Sequence, residues 1–386
     1  MPPVPRPRPA CAPPPRRQIQ GRGEGRGEEW SPRPPVLDTA LLAVSDGVAN
    51  ARDSSVGTRE SKAAGSGAQG PKVGRRRGEK VEKIEYAGWS GCHRLANDSV
   101  DLVITGDVGP RIIRFGFLGG PNVFKEYAGM AGLSGGDEWR IYGGHRLWHS
   151  PEAKPRTYFP DNSPVEVTGD DAGLVRVVQP VEAATGIRKE LDIRLAAKGA
   201  AVEVVHRLVN AGPWAVELAP WALSVMDAGG AGVVPVPPRG AHAEHLLPTH
   251  SLTMWAYTDM TDPRWTWGER FVILRQDPAR GPQKVGVRCS DGWAAHAGRG
   301  GLFVKTFTFD PCAEYPDWGS SVEIFTNEDM LELETVAPMA RLLPGASVEH
   351  VERWHLFEAI EPPSSLTSDA EVEERVLPRV VEAHAG

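Results

Sequence analysis

From about residue 81 to residue 360 the chain keeps one rhythm. Short runs rich in Val, Leu and Ile recur at 100–104, 109–116, 165–167, 174–179, 186–195, 201–210 and 214–224. They return at 271–276, 284–289, 301–309 and 320–326, and Gly, Asn, Asp or Pro divides each run from the next. β-Branched residues fit a pleated, half-buried surface, and the dividing residues are those that turns require. Helical periodicity is almost absent; the one helix candidate spans 367–384. There Ser368 is placed to cap, Glu371, Glu373 and Glu374 favour the N-terminal dipole, and Pro378 interrupts. Many strands at this spacing predict an all-β sandwich or barrel, built as one large domain. No repeat of fixed period is present.

The composition changes near residue 80. Residues 1–80 are dominated by Pro, Arg, Gly and Ser and carry 15 Lys/Arg against 8 Asp/Glu, so the rest of the chain carries 28 against 42. Such a leader favours polyproline II and cannot build a core, which predicts a disordered segment or upstream sequence read through from a misassigned start. An acidic body argues against nucleic acid as the partner. The cysteines, Cys11, Cys92, Cys289 and Cys312, show no CxxC and no zinc spacing, and a reducing cytoplasm is the simpler setting. No run of 18 apolar residues predicts a membrane span. The apolar stretch 37–48 is short, is broken by Asp38 and Asp46, and does not read as a signal peptide.

The stretch 330–357 (MLELETVAPMARLLPGASVEHVERWHLF) reads as a closing hairpin, two strands joined by a turn at Pro344-Gly345. Leu331 and Leu333 alternate with Glu332 and Glu334, so both acids project from one face. An acid-Thr pair, then Pro, then Leu-x-Pro-Gly, then His-x-x-x-Trp resembles the C-terminal end of galactose mutarotase-like proteins, among them the aldose 1-epimerases. The resemblance implies a large β-super-sandwich over residues 81–360, with residues 361–386 as a tail bearing a short helix. It also implies that Glu334 is the catalytic base.

A second dense patch, YGGHRLWHSPE at 142–152, is similar to the Gly-Gly-centred motif of the sugar epimerases, in which a His or an Arg touches the substrate. Sugar hydroxyls need charged or amide partners, and the C–H face of the ring stacks on Trp. Carried over, Gly144 allows close backbone approach, His145 and Arg146 are contact candidates, and His145 is the candidate acid. Trp148 and His149 join by proximity. The bland alternative makes Trp148 core and the charges a surface loop. His145 and His149 are four apart, which suits a metal on a helix face, but the surrounding Gly and Pro argue against a helix; no metal or other cofactor is expected.

In aldose 1-epimerases the strand equivalent to 214–224 carries an Asn-His pair whose His is the general acid. Here Pro220-Trp221 stands in that place, and no His lies between His206 and His242. Trp221 is a stacking platform or core. An acid would come from His145, His149, or one of His242, His245 and His250. The tryptophan-rich segment 248–270 reads as a loop that walls a cleft or is pinned to the body. Lys305, on an apolar strand, is a ligand contact or an edge charge. Two functions follow: a sugar 1-epimerase-like isomerase that opens the ring at the anomeric carbon with Glu334 as base, or a carbohydrate-binding protein without turnover. The expected partner in both is a small carbohydrate.

Overall fold

The computed structural model describes residues 81–169 and 173–385; the Pro/Arg/Gly-rich leader lies outside them. The described residues form two antiparallel sheets packed face to face, the super-sandwich expected from the sequence. The first sheet runs in the order Val81–Tyr86, Trp89–Ala96, Val100–Ile104, Arg111–Phe117, Gly144–Ser150, Val216–Met226, Leu331–Val336, Val322–Thr326, Gln283–Val287 and Leu252–Met254, with Ala340–Leu342 also pairing to Val216–Met226. The second runs Trp265–Trp267, Phe271–Arg275, Ala231–Pro235, Trp293–Gly298, Gly301–Phe307, Ser347–Phe357, Ala201–Asn210, Ile187–Leu195, Leu174–Val178 and Glu166–Gly169.

The main core fills the space between the sheets. Leu147, Ile324, Leu331 and Leu333 of the first sheet meet Val177, Val204, Leu208, Phe303 and Trp354 of the second. The outer face of the second sheet buries Val233, Ile273, Ala295 and Val304 under two C-terminal helices, Asp369–Arg375 and Leu377–Ala385, through Val372, Val376 and Val380. Ser368 caps the first of these by accepting from the Glu371 N–H, and the break before Leu377 precedes Pro378. The outer face of the first sheet carries a separate cluster of Trp148, Ala219, Trp221, Leu223 and Val336.

Two sequence expectations are corrected here. The strands on either side of Pro344-Gly345 do not pair with each other. Leu331–Val336 pairs with Val216–Met226 and Val322–Thr326 in the first sheet, whereas Ser347–Phe357 pairs with Gly301–Phe307 and Ala201–Asn210 in the second. The turn, with Gly345 at φ +81°, is therefore an arch between sheets, and both strands turn apolar residues toward the same core. Lys305 is neither an edge charge nor exposed to a ligand. Its strand is internal, and its ammonium is fully buried 2.8 Å from Glu352 Oε1.

Burial holds His296 and His350 neutral, lowering each to about 3. A His depressed in the folded state stabilises above its unfolded value of 6.5 and loses that contribution as the pH falls toward 3. Urea unfolding should therefore show a folded state weaker at pH 5 than at pH 7.5, by roughly 2 kcal/mol for each of these two groups. A midpoint that does not move would contradict their buried neutral state.

Candidate carbohydrate site on the outer face of the first sheet

Strand alternation on Leu331–Val336 sends Leu331 and Leu333 inward, leaving Glu332 and Glu334 on the outer face. The registers Arg146↔Leu223, Leu223↔Glu334 and Glu323↔Glu334 place Arg146, Leu223, Glu334 and Glu323 in one row across four strands. The next row carries Trp148 opposite Trp221. Arg146 Nη2 donates to Glu332 Oε1 at 2.8 Å, and the guanidinium stacks 4.6 Å from the Trp148 ring centroid and 5.5 Å from that of Trp139.

Lys284, opposite Phe325 in the neighbouring row, reaches across to the two carboxyls. Its Nζ lies 2.6 Å from Glu323 Oε2 and 3.0 Å from Glu334 Oε2. It also sits 4.8 Å from the Trp221 ring centroid and 4.7 Å from that of Trp255. Trp221 Nε1 donates to the same Glu334 Oε2 at 2.8 Å. Burial works against the Lys284 charge, but Glu323 and Glu334 overcome it and hold the ammonium well above its ordinary range. Burial raises both carboxyls, Glu323 the further, and Lys284 opposes the rise in each. One ammonium cannot offset two buried carboxylates, so the pair retains a proton. The indole N–H gives Glu334 a second donor, whereas Glu323 has Lys284 alone.

A pocket of about 260 Å³ opens above this row. Trp139, Trp148, Trp221, Tyr158 and Tyr257 wall it, and Arg146, Glu332, Glu152 and Lys284 give it polar edges. Tyr158 Oη donates to Glu152 at the rim. Among the described residues, five buried polar atoms in or beneath the pocket have no protein partner: Trp139 Nε1, Arg146 Nε, Arg146 Nη1, Glu323 Oε1 and Glu334 Oε1.

Solved structures similar to this chain include a galactose mutarotase-like protein of Lactobacillus casei, at 13% identity and a TM-score of 0.42 over 69% of this chain and all of that one. A Synechocystis protein matches at 12% identity and TM-score 0.47, covering 72% of this chain and 99% of its own. A TPR-domain containing protein of Parabacteroides distasonis matches at 15% identity and TM-score 0.50 over 71% of this chain, which spans 48% of it; that likeness is one of fold. Comparison with protein-family models and with curated proteins gives no match.

The residues singled out from the sequence divide between the two faces of the sheet. Glu334, Arg146, Trp148 and Trp221 come together at the pocket. His145, between Gly144 and Arg146, points the other way, into the sandwich. Its Nε2 lies 2.7 Å from His206 Nε2 and its Nδ1 2.9 Å from Ser224 Oγ. His206 Nδ1 faces the His350 carbonyl at 3.0 Å and must donate to it, so its Nε2 accepts from His145. The expected pairing of Glu334 with a His145 acid is therefore absent from this arrangement. His149 also lies on the inner face, and neither it nor His242, His245 or His250 lines the pocket. Gly144, at φ +72°, is required by its own chain, since a Cβ there would meet Ile112 O at 2.5 Å. The patch, whose bland alternative was a surface loop, contains the buried strand Gly144–Ser150.

His145, His206 and Glu352 are the potential metal ligands that converge in the described residues. Their facing atoms are already satisfied: the two imidazoles bond each other, and Glu352 Oε2 accepts from Trp354 Nε1 at 2.7 Å. The Lys305 ammonium pairs with the same carboxylate, so the trio reads as a polar core network.

Sequence reasoning missed Lys284, Glu323, Trp139 and Tyr158. A signal existed for the first two, each a lone charge in an apolar strand, QKVGV and VEIFT. Replacing Lys284 with Met leaves two buried carboxyls uncompensated and should cost about 3–5 kcal/mol at pH 7 by chemical denaturation. Adding Glu323→Gln and Glu334→Gln should recover most of that loss. A single Lys284→Met variant as stable as the parent would contradict the bridge.

Proposed function

We propose that the outer-face pocket binds a neutral, monosaccharide-sized carbohydrate. The observation that carries this reading is the set of buried atoms without a partner among the described residues, N–H donors of Arg146 and Trp139 and carboxyl oxygens of Glu334 and Glu323, beside aromatic walls. Hydroxyls, each both donor and acceptor, match that set, and a sugar ring presents a C–H face to Trp148 and Trp221. The volume falls below the roughly 300–1,000 Å³ usual for drug-sized ligands, which suits one sugar unit. Both cations lining the pocket are already matched, Arg146 by Glu332 and Lys284 by Glu323 and Glu334, so a phosphate would meet no free counter-charge. The galactose mutarotase-like neighbour and the motifs that resemble that family support a carbohydrate ligand.

A second reading, sugar 1-epimerase-like isomerisation, is favoured by the free Glu334 Oε1. In it the carboxylate takes the anomeric hydroxyl proton while a proton reaches the ring oxygen, so that the ring opens and recloses. No histidine among the described residues lines the pocket, and Lys284, held well above its ordinary range by the two carboxyls, keeps its proton, so in this reading the ring oxygen is protonated by solvent water.

Saturation-transfer NMR at the anomeric protons of free and phosphorylated hexoses separates these readings. Binding without turnover predicts saturable line broadening for a free hexose, unchanged α/β exchange, and at least tenfold weaker binding of its phosphate. Accelerated exchange that Glu334→Gln reduces by two orders of magnitude or more would establish the second reading. A panel that shows neither effect would overturn both.

A further inference from the structure

A second cavity, of about 360 Å³, opens at the end of the sandwich between the two sheets. Gly144–Ser150 contributes His149 and the segment after it Pro155 and Arg156. Ala184, Thr185 and Ile187 come from the turn into Ile187–Leu195, and Val216, Glu217 and Leu218 from the start of Val216–Met226. His149 is next to Trp148 in the chain, but alternation turns it to the opposite face, so this cavity is separate from the carbohydrate pocket.

Its lining is apolar apart from a few groups. His149 is 1% exposed, and neither ring nitrogen has a hydrogen-bond partner among the described residues. Arg156 anchors itself through Nη2 on the Pro151 carbonyl, which leaves its buried Nε–H without an acceptor. The other charges nearby are occupied. Lys189 Nζ lies 2.6 Å from Glu182 Oε1, and Thr185 Oγ1 donates to Glu182 Oε2 at 2.6 Å. Glu182 Oε2 remains 3.9 Å from His149 Nε2, beyond a hydrogen bond, and Glu217 is exposed at the rim. An unpartnered imidazole in an apolar wall is costly unless something occupies it.

We infer that this cavity is a binding site for a small monocarboxylate with an apolar tail, its carboxylate held by the Arg156 Nε–H and a His149 N–H and its tail against Ile187, Val216 and Leu218. The guanidinium supplies the countercharge, and the neutral imidazole, flanked by Arg156 and Lys189, supplies a donor without adding a second buried charge. Tail length then sets affinity, since each methylene taken from water contributes about 0.8 kcal/mol, close to fourfold.

The test is a titration of the full-length protein with acetate, butyrate, hexanoate and 1-hexanol, followed by NMR and calorimetry. Hexanoate should bind at least tenfold more tightly than acetate and than 1-hexanol. Arg156→Gln should weaken it about tenfold. Ala184→Phe, at an exposed rim position, should abolish it while leaving the unfolding curve and the response to hexoses unchanged. Equal binding of hexanol and hexanoate, undiminished binding to Ala184→Phe, or no binding of hexanoate would each overturn the inference. Because this cavity and the carbohydrate pocket lie on opposite faces, failure of one leaves the other standing.

Discussion

Two carboxyls on neighbouring strands, Glu323 and Glu334, are buried side by side, and the ammonium of Lys284 holds them there. In a low-dielectric setting two adjacent carboxylates repel strongly, and one positive charge between them lets one stay ionised while the other keeps its proton. The indole N–H of Trp221 adds a directed donor to Glu334, and the faces of Trp221 and Trp255 stabilise the ammonium from two sides. The pocket floor is thus a charge-balanced unit that positions Trp221 as well as Glu334. Trp221 is at once a wall of the pocket and a donor to the carboxylate beneath it.

The first sheet uses its two faces differently. Its inner face joins the main core and carries the polar network of His145, His206, His350, Glu352 and Lys305, in which each group finds a partner. Among the described residues its outer face has no helical cover of the kind that Asp369–Arg375 and Leu377–Ala385 give the second sheet. Aromatic side chains and paired charges fill it instead, and several buried polar atoms of Arg146, Trp139, Glu323 and Glu334 are left without a partner among the described residues.

The strand rhythm was readable because β-branched runs and turn residues are local signals: 100–104 and 201–210 match the observed strands to the residue. The leucine–glutamate alternation at 331–334 was readable for the same reason. What the residues did not disclose is non-local. Pro344-Gly345 serves a hairpin or an arch equally well, and the choice depends on which distant strands supply partners. Gly144–Ser150 is buried on both faces, so its pattern does not say that Arg146 and Trp148 turn outward while His145 and His149 turn inward. Lys284 and Glu323 were overlooked because the meaning of each charge lies on the next strand, where the other waits. Lys305 drew notice for the same reason and proved to serve the core.

The account rests on the outer-face pocket, with Trp221 and Glu334 at its floor, being where a sugar binds. The most direct measurement is a ¹⁵N-indole NMR titration with free hexoses, with the Trp148 and Trp221 signals assigned by Phe substitution. A saturable shift of both indole N–H resonances, with the imidazole signals of His145 and His206 unmoved, is the result expected. Sugar-dependent shifts confined to the histidines would place the ligand on the inner face and contradict the account.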